Sequence, residues 1–202
     1  GMGSDTAGSL RLPASACGIM SLKPTWSRVT RAGAMPLSSS LDAVGPMARD
    51  ARDLAVMLQA MAGHDPRDAA TSMRPVPDYP ALIDRPVKGL RIGIDEKLIS
   101  EADVSVQERL MQALHLLEGA GAEQVAVHID NWSTLDHLAQ LVQLTEAAAA
   151  HSPFLRHQSA KYGPQVQARV EYGHFVPAHD YLVAMRARAM MLRKMLDDVY
   201  AH

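Results

Sequence analysis

The sequence predicts an α/β protein: a mixed, partly parallel sheet flanked by helices, with a helix-rich C-terminal half. Three observations predict it. Residues 89–130 read strand, helix, strand. Residues 134–202 carry apolar side chains at helical spacing in three successive stretches. Residues 1–49 are rich in Gly, Ser, Ala and Pro and lack long periodic apolar runs, so they fit loops, short helical turns and short strands. The three regions are read together as one domain over 1–202.

The elements follow in chain order. Asp50 is a helix N-cap with Asp53 in the first turn behind it. Leu54, Met57, Leu58 and Met61 recur at i, i+3, i+4 and i+7, one helical face, and Gly63 ends it. Five prolines between Pro66 and Pro86 fix φ and remove amide donors, which predicts an extended surface connection. Leu90, Ile92 and Ile94 alternate with Arg91 and Gly93 as in a strand. Val106, Leu110, Ala113, Leu114 and Leu117 take helical spacing, and Val125, Val127 and Ile129 alternate again. Such a βαβ unit implies a parallel pair with a right-handed crossover. Helices are expected over 134–150, 162–172 and 178–200. The last has a stripe of Leu182, Met185, Ala189, Leu192, Leu196 and Val199.

Composition removes several function classes. Of 202 residues 48% are apolar, enough for a core, and the net charge of −2 comes from mixed charges without a basic block. Nucleic acid and membrane surfaces are therefore not expected partners. The most apolar long stretch, Leu138–Ala150, is interrupted by Gln140, Gln143 and Glu146 and is too short to span a bilayer. One cysteine, Cys17, allows no intrachain disulfide, and a reducing, cytoplasmic setting is expected. The nine histidines show no metal-ligand spacing, so neither a metal nor another cofactor is expected.

The chemistry sits in the opening stretch, "GSDTAGSLRLPAS". A serine hydroxyl attacks a carbonyl only when a base takes its proton, and the resulting oxyanion needs N–H donors around it. Thr6-Ala7-Gly8-Ser9 has side chains small enough for a tight turn with successive amides facing one concavity. Asp5 and Arg11 flank the turn and can pair across it, and Pro13 is expected to stop any helix there. A phosphate cradle is not supported, since no Gly-Lys-Ser/Thr follows the glycines. A nucleotide-binding reading of 89–129 fails too, because the first strand leads into "DEKLISEADVS" rather than a glycine-rich loop. Ser4, Ser15 and the run Ser38-Ser39-Ser40 read as loop or capping residues.

Longer text sharpens this. Gly3–Ala14 fits a G-[ST]-D-T-[GA]-G-S-x-R-x-P-A pattern. Cys17–Thr25 ("CGIMSLKPT"), Ser40–Arg49 ("SLDAVGPMAR") and Ala62–Asp68 ("AGHDPRD") follow in order. The stretch from Gly3 to Asp68 closely resembles the core of the amidase signature family. The rest of the chain is similar only in the order of a βαβ unit and a long helix. Ser21 and Ser27 stand where that family usually has glycine.

The resemblance implies an amidase-like hydrolase that breaks a carboxamide C–N bond through a serine acyl-enzyme. Ser9 would be the nucleophile, the backbone amides of Thr6, Ala7, Gly8 and Ser9 the oxyanion hole, and Asp5 and Arg11 scaffold residues of the loop. In the family a lysine and a serine in a cis peptide complete the triad from segments upstream of this loop. Lys23 of "SLKPT" belongs to a different segment and is not that lysine. The expectation is therefore the middle of an amidase, truncated at both ends and inactive when isolated. The alternative is a catalytically inactive truncated homologue with a binding or oligomerisation role. The expected partners are a small-molecule amide and further copies of the chain, joined through surfaces that truncation uncovers.

Overall fold

The computed structural model describes residues 1–201. They pack as two compact units, 1–84 with 139–184, and 85–138 with 185–201. The α/β class holds, with the antiparallel and parallel pairings in two separate sheets.

In the first unit three strands, β1 (Met2–Asp5), β2 (Met20–Ser21) and β3 (Ala43–Ala48), form an antiparallel sheet in the order β1-β3-β2. Helix α1 (Arg11–Cys17) follows β1 after a five-residue loop. Leu10, at the end of that loop, has 0% exposure. A Cβ on Gly3 would come within 2.9 Å of Leu10. One on Gly45 would come within 2.8 Å of Leu10 and would overlap the Leu22 carbonyl oxygen. Paired glycines at this register let the loop's apolar residue lie flat on the strands.

Pro13 does not stop the chain from turning helical, contrary to expectation. It is the third residue of α1, in the first turn, where an N–H has no intrahelical acceptor to lose. Gly18 ends the helix in the left-handed region with φ 64°. Helix α2 (Ala51–Met61) starts as expected, the Asp50 carboxylate accepting the Asp53 amide at 2.8 Å, and it buries Leu54, Ala55 and Leu58. The proline-rich connection contains one unforeseen helical turn, α3 (Tyr79–Leu82). Asp78 caps it and Pro80 sits at a position that needs no N–H.

The second unit contains the predicted βαβ unit. Strands β4 (Arg91–Ile94) and β5 (Glu123–Ala126) pair in parallel, and α4 (Glu96–Ser100) and α5 (Val104–Gly119) lie between them in sequence. Asp95 joins the pieces, capping α4 through Lys97 and Leu98 while its other oxygen accepts the Ile129 amide at 2.7 Å. Of the expected α5 stripe only Leu114 is buried, and Val106 and Leu110 are exposed.

Three long helices complete the chain: α6 (Trp132–Gln158), α7 (Pro164–Tyr172) and α8 (Ala178–Met195), the last followed by a wider turn over Leu196–Tyr200. Helix α6 runs past its expected end at 150 and absorbs Pro153, with Val142, Ala147, Ala148 and His151 buried along it. The expected stripe of α8 is not its buried side. Of that stripe Leu182, Ala189, Leu192 and Leu196 are exposed and Met185 and Val199 half-buried, while off it Ala184 is buried and Tyr181, Met191 and Met195 are half-buried. This helix is apolar on two faces, so spacing could not select between them. No helix among the described residues is long and apolar enough to cross a membrane.

Candidate active site

The loop Thr6–Leu10 is organised from beneath by one carboxylate. Asp5 ends β1 and is wholly buried. Its Oδ1 accepts the Gly8 amide at 2.7 Å and Arg11 Nη2 at 3.2 Å, and its Oδ2 accepts the Leu10 amide at 3.2 Å and Arg11 Nε at 3.0 Å. Lys23 adds a second cation. Its Nζ donates to the Asp5 main-chain carbonyl at 2.6 Å and to the Leu41 carbonyl at 3.3 Å, and lies 3.4 Å from Asp5 Oδ1. Burial pushes the Asp5 carboxyl up. The Arg11 guanidinium, the two amides and the Lys23 charge outweigh that and hold it well below the usual carboxylate range. The bond to Asp5 raises Arg11 in turn.

Gly8 has φ 128°, a conformation that favours glycine, and it lets the chain reverse so that the Gly8 carbonyl accepts the Leu12 amide at 2.8 Å. Ala7 and Ser9 are exposed, whereas Thr6 and Gly8 are buried. The expected cluster of amides is thus partly committed, because the Gly8 N–H is bonded to Asp5. Among the described residues the amides of Thr6, Ala7 and Ser9 have no acceptor in a helix, strand or loop, and the Ser9 hydroxyl has no hydrogen-bond partner.

A second group of carboxylates stands beside the loop. The Thr6 hydroxyl donates to Asp42 Oδ1 at 2.5 Å. Asp42 Oδ2 accepts the Leu37 and Ser38 amides, each at 2.9 Å. Ser38 is wholly buried, and its hydroxyl donates to Glu146 of α6. Glu146 also accepts the Ser40 amide at 2.9 Å and the Tyr181 hydroxyl at 2.8 Å. Burial raises the Glu146 carboxyl, but these donors lower it further.

Asp5 and Arg11 pair as the sequence suggests. Lys23, Asp42 and Glu146 were not singled out as site residues. Lys23 and Asp42 lie in motif segments, but spacing does not say what they touch. Glu146 carried a readable signal, as a lone acid in the apolar stretch Leu138–Ala150, where a buried charge needs partners. The histidines lie elsewhere: His64 contacts Thr71, His128 lies between Asp95 and Asp130, and His151 meets Tyr162. No group of three or more His, Cys, Asp or Glu among the described residues could hold a metal ion.

Comparison with known proteins decides the ancestry of this loop. The model of the family described as Amidase matches residues 1–202. The chain belongs to the amidase family. This amidase chain is 35% identical over 220 residues to a glutamyl-tRNA(Gln) amidotransferase subunit of Akkermansia muciniphila, covering 99% of the chain and 47% of the relative. It is 40% identical over 167 residues to the subunit of the same name from Geobacter metallireducens, covering 82% of the chain and 34% of the relative. Among solved structures, one is described as a vestigial protein complex that reveals the evolutionary origins of an s-triazine catabolic enzyme. It superposes with TM-score 0.86 at 31% identity, covering 99% of the chain and 42% of its own. The glutamyl-tRNA(Gln) amidotransferase subunit of Thermotoga maritima superposes with TM-score 0.77 at 32% identity, covering 99% of the chain and 43% of its own. The amidase chain therefore spans less than half the length of these relatives.

Proposed function

We propose that Ser9 is the nucleophile of this amidase, attacking the carbonyl carbon of a small-molecule carboxamide to form a serine acyl-enzyme that water then hydrolyses. The supporting observation is the exposed Ser9 side chain on a loop that the buried Asp5 holds at both Gly8 and Leu10. The oxyanion hole is drawn from the main-chain amides of Thr6, Ala7 and Ser9, since the Gly8 N–H is bonded to Asp5. All three are uncommitted in this conformation, and Gly8 supplies the turn. Lys23 is occupied by two carbonyls and the Asp5 carboxylate, so it acts with Asp5 and Arg11 as scaffold. The proton goes to the lysine and cis serine that the family places upstream of this loop. A cytoplasmic setting belongs to the same reading. Fluorophosphonate labelling with peptide mapping tests it, applied to the full-length gene product. Label at Ser9, abolished by Ser9→Ala, is expected. Label that survives Ser9→Ala overturns it.

One observation favours a second reading, that this amidase chain has a binding or oligomerisation role without hydrolysis. Leu12, Met20 and Leu22, in and beside α1 and β2, are 70%, 49% and 37% exposed. Exposed apolar side chains of this size invite self-association where they lie together. Light scattering that shows a monomer at all concentrations would count against it.

A further inference from the structure

We propose that Asp42 and Glu146 are positioning residues for the Ser9 loop, tied to it by an unbroken run of hydrogen bonds through Thr6 and Ser38. The inference rests on the reading of Ser9 as nucleophile.

The register shows why a tie is needed there. Strands β1 and β3 are paired up to Asp5 and Ala43, so Thr6 and Asp42 are the first residues beyond the ladder. Backbone pairing stops at that point. The bond from the Thr6 hydroxyl to Asp42 continues it through side chains. Asp42 is 8% exposed and takes its three donors from Thr6, Leu37 and Ser38. Glu146 is 9% exposed and is held by Ser38, Ser40 and Tyr181. Among the described residues neither carboxylate forms a salt bridge with Lys or Arg. Each buried charge is therefore stabilised by oriented hydroxyl and amide donors.

The direction of the effect follows. Asp5 holds the loop from below at Gly8 and Leu10. Asp42 holds it from the side at Thr6, three residues before the nucleophile. Fixing a loop on both flanks leaves the intervening residues few conformations, which is what attack on a bound carbonyl requires. Glu146 sets where Asp42 stands by fixing the segment from Ser38 to Ser40 on α6.

The test uses the full-length gene product, the variants Glu146→Ala, Glu146→Gln and Thr6→Val, and two readouts. The first is hydrogen exchange at the Gly8 and Leu10 amides, with the α2 amides as reference. The second is the rate of fluorophosphonate labelling at Ser9. Glu146→Ala should speed exchange at Gly8 and Leu10, and slow labelling, by about tenfold each, the scale of a lost hydrogen bond to a charged group. The α2 amides should not change. Glu146→Gln should restore both readouts, because its amide oxygen still accepts from Ser38 and Ser40. Thr6→Val removes the hydroxyl at nearly constant shape and should reproduce Glu146→Ala, even if the latter folds poorly. Faster exchange throughout α2 and the loop alike, or no loop change in Thr6→Val, would overturn the proposal. Wild-type labelling at Ser9 with unaffected variants would remove the positioning role and leave the nucleophile. Absence of label from wild type would remove both.

Discussion

Lys23 places its ammonium 2.6 Å from the main-chain carbonyl of Asp5 and 3.4 Å from the carboxylate of the same residue. One cation thus satisfies the end of β1 and the charge that organises the loop after it. Lys23→Met should lower stability by about 1–3 kcal/mol, because it leaves acceptors at a buried site short of a donor. Urea unfolding should show a lower midpoint at unchanged slope.

Asp5 and Arg11 are paired but not equivalent. The Arg11 side chain is 56% exposed and the Asp5 side chain is 0% exposed. Arg11→Ala removes two donors from a wholly buried carboxylate that keeps the Gly8 and Leu10 amides and the Lys23 charge, and should cost about 1–3 kcal/mol. Asp5→Ala orphans the Gly8 and Leu10 amides together and should cost about 3–5 kcal/mol. Comparing the two variants by thermal melting checks the asymmetry. Equal losses would contradict it.

Stability should depend on acid in one direction. The carboxyls of Asp5 and Glu146 are held below their usual range, and the bond to Arg31 lowers Asp68 to about 2 from 3.8. A lowered folded value means that the unfolded chain binds more protons as pH falls through this interval. The contribution is full above the unfolded values and is lost on acidification toward and below 2. Unfolding midpoints should be flat from neutrality to about pH 5 and fall steadily beneath it. Asp5→Ala should reduce that slope.

Gly173 and Gly45 should tolerate no side chain. A Cβ on Gly173 would overlap the Leu144 carbonyl oxygen and lie 2.8 Å from the Ala148 Cβ. At Gly45 it would overlap the Leu22 carbonyl oxygen. Backbone cannot yield as a flexible side chain can, so either alanine variant should cost about 3 kcal/mol or more. Gly119→Ala, where nothing lies within 4 Å, is the neutral control. Chemical denaturation of the three variants decides.

Ser9→Ala should leave the fold untouched. Ser9 is exposed and its hydroxyl is bonded to nothing among the described residues, so stability should change by about 0.5 kcal/mol or less. A large loss would mean that the hydroxyl has a structural task, contrary to its proposed role.

Much of this was legible beforehand because it is local. The cap at Asp50, the helix from Ala51 and the alternation around Ile92 follow from dihedral preference and period, which neighbouring residues set between them. Pro13 misled for the same reason. Proline's penalty depends on which acceptor would have been used, and that depends on where the helix begins and what buries it. The stripe of α8, exposed at four of its six positions, shows the limit of periodicity, since spacing reports a face but not what covers it.

By itself the sequence determined the α/β class, the parallel βαβ pair, the amidase ancestry and the pairing of Asp5 with Arg11 six residues on. Each is carried by residues close together along the chain or by an ordered motif. Tertiary structure alone decided that Lys23 serves Asp5, that the Gly8 amide is committed, and that Asp42 and Glu146 stand in line beside Thr6. Glu146 meets Ser38 across 108 positions of sequence. Hydrogen bonds depend on ångström separations that only the packed backbone sets, and no spacing rule reaches that far.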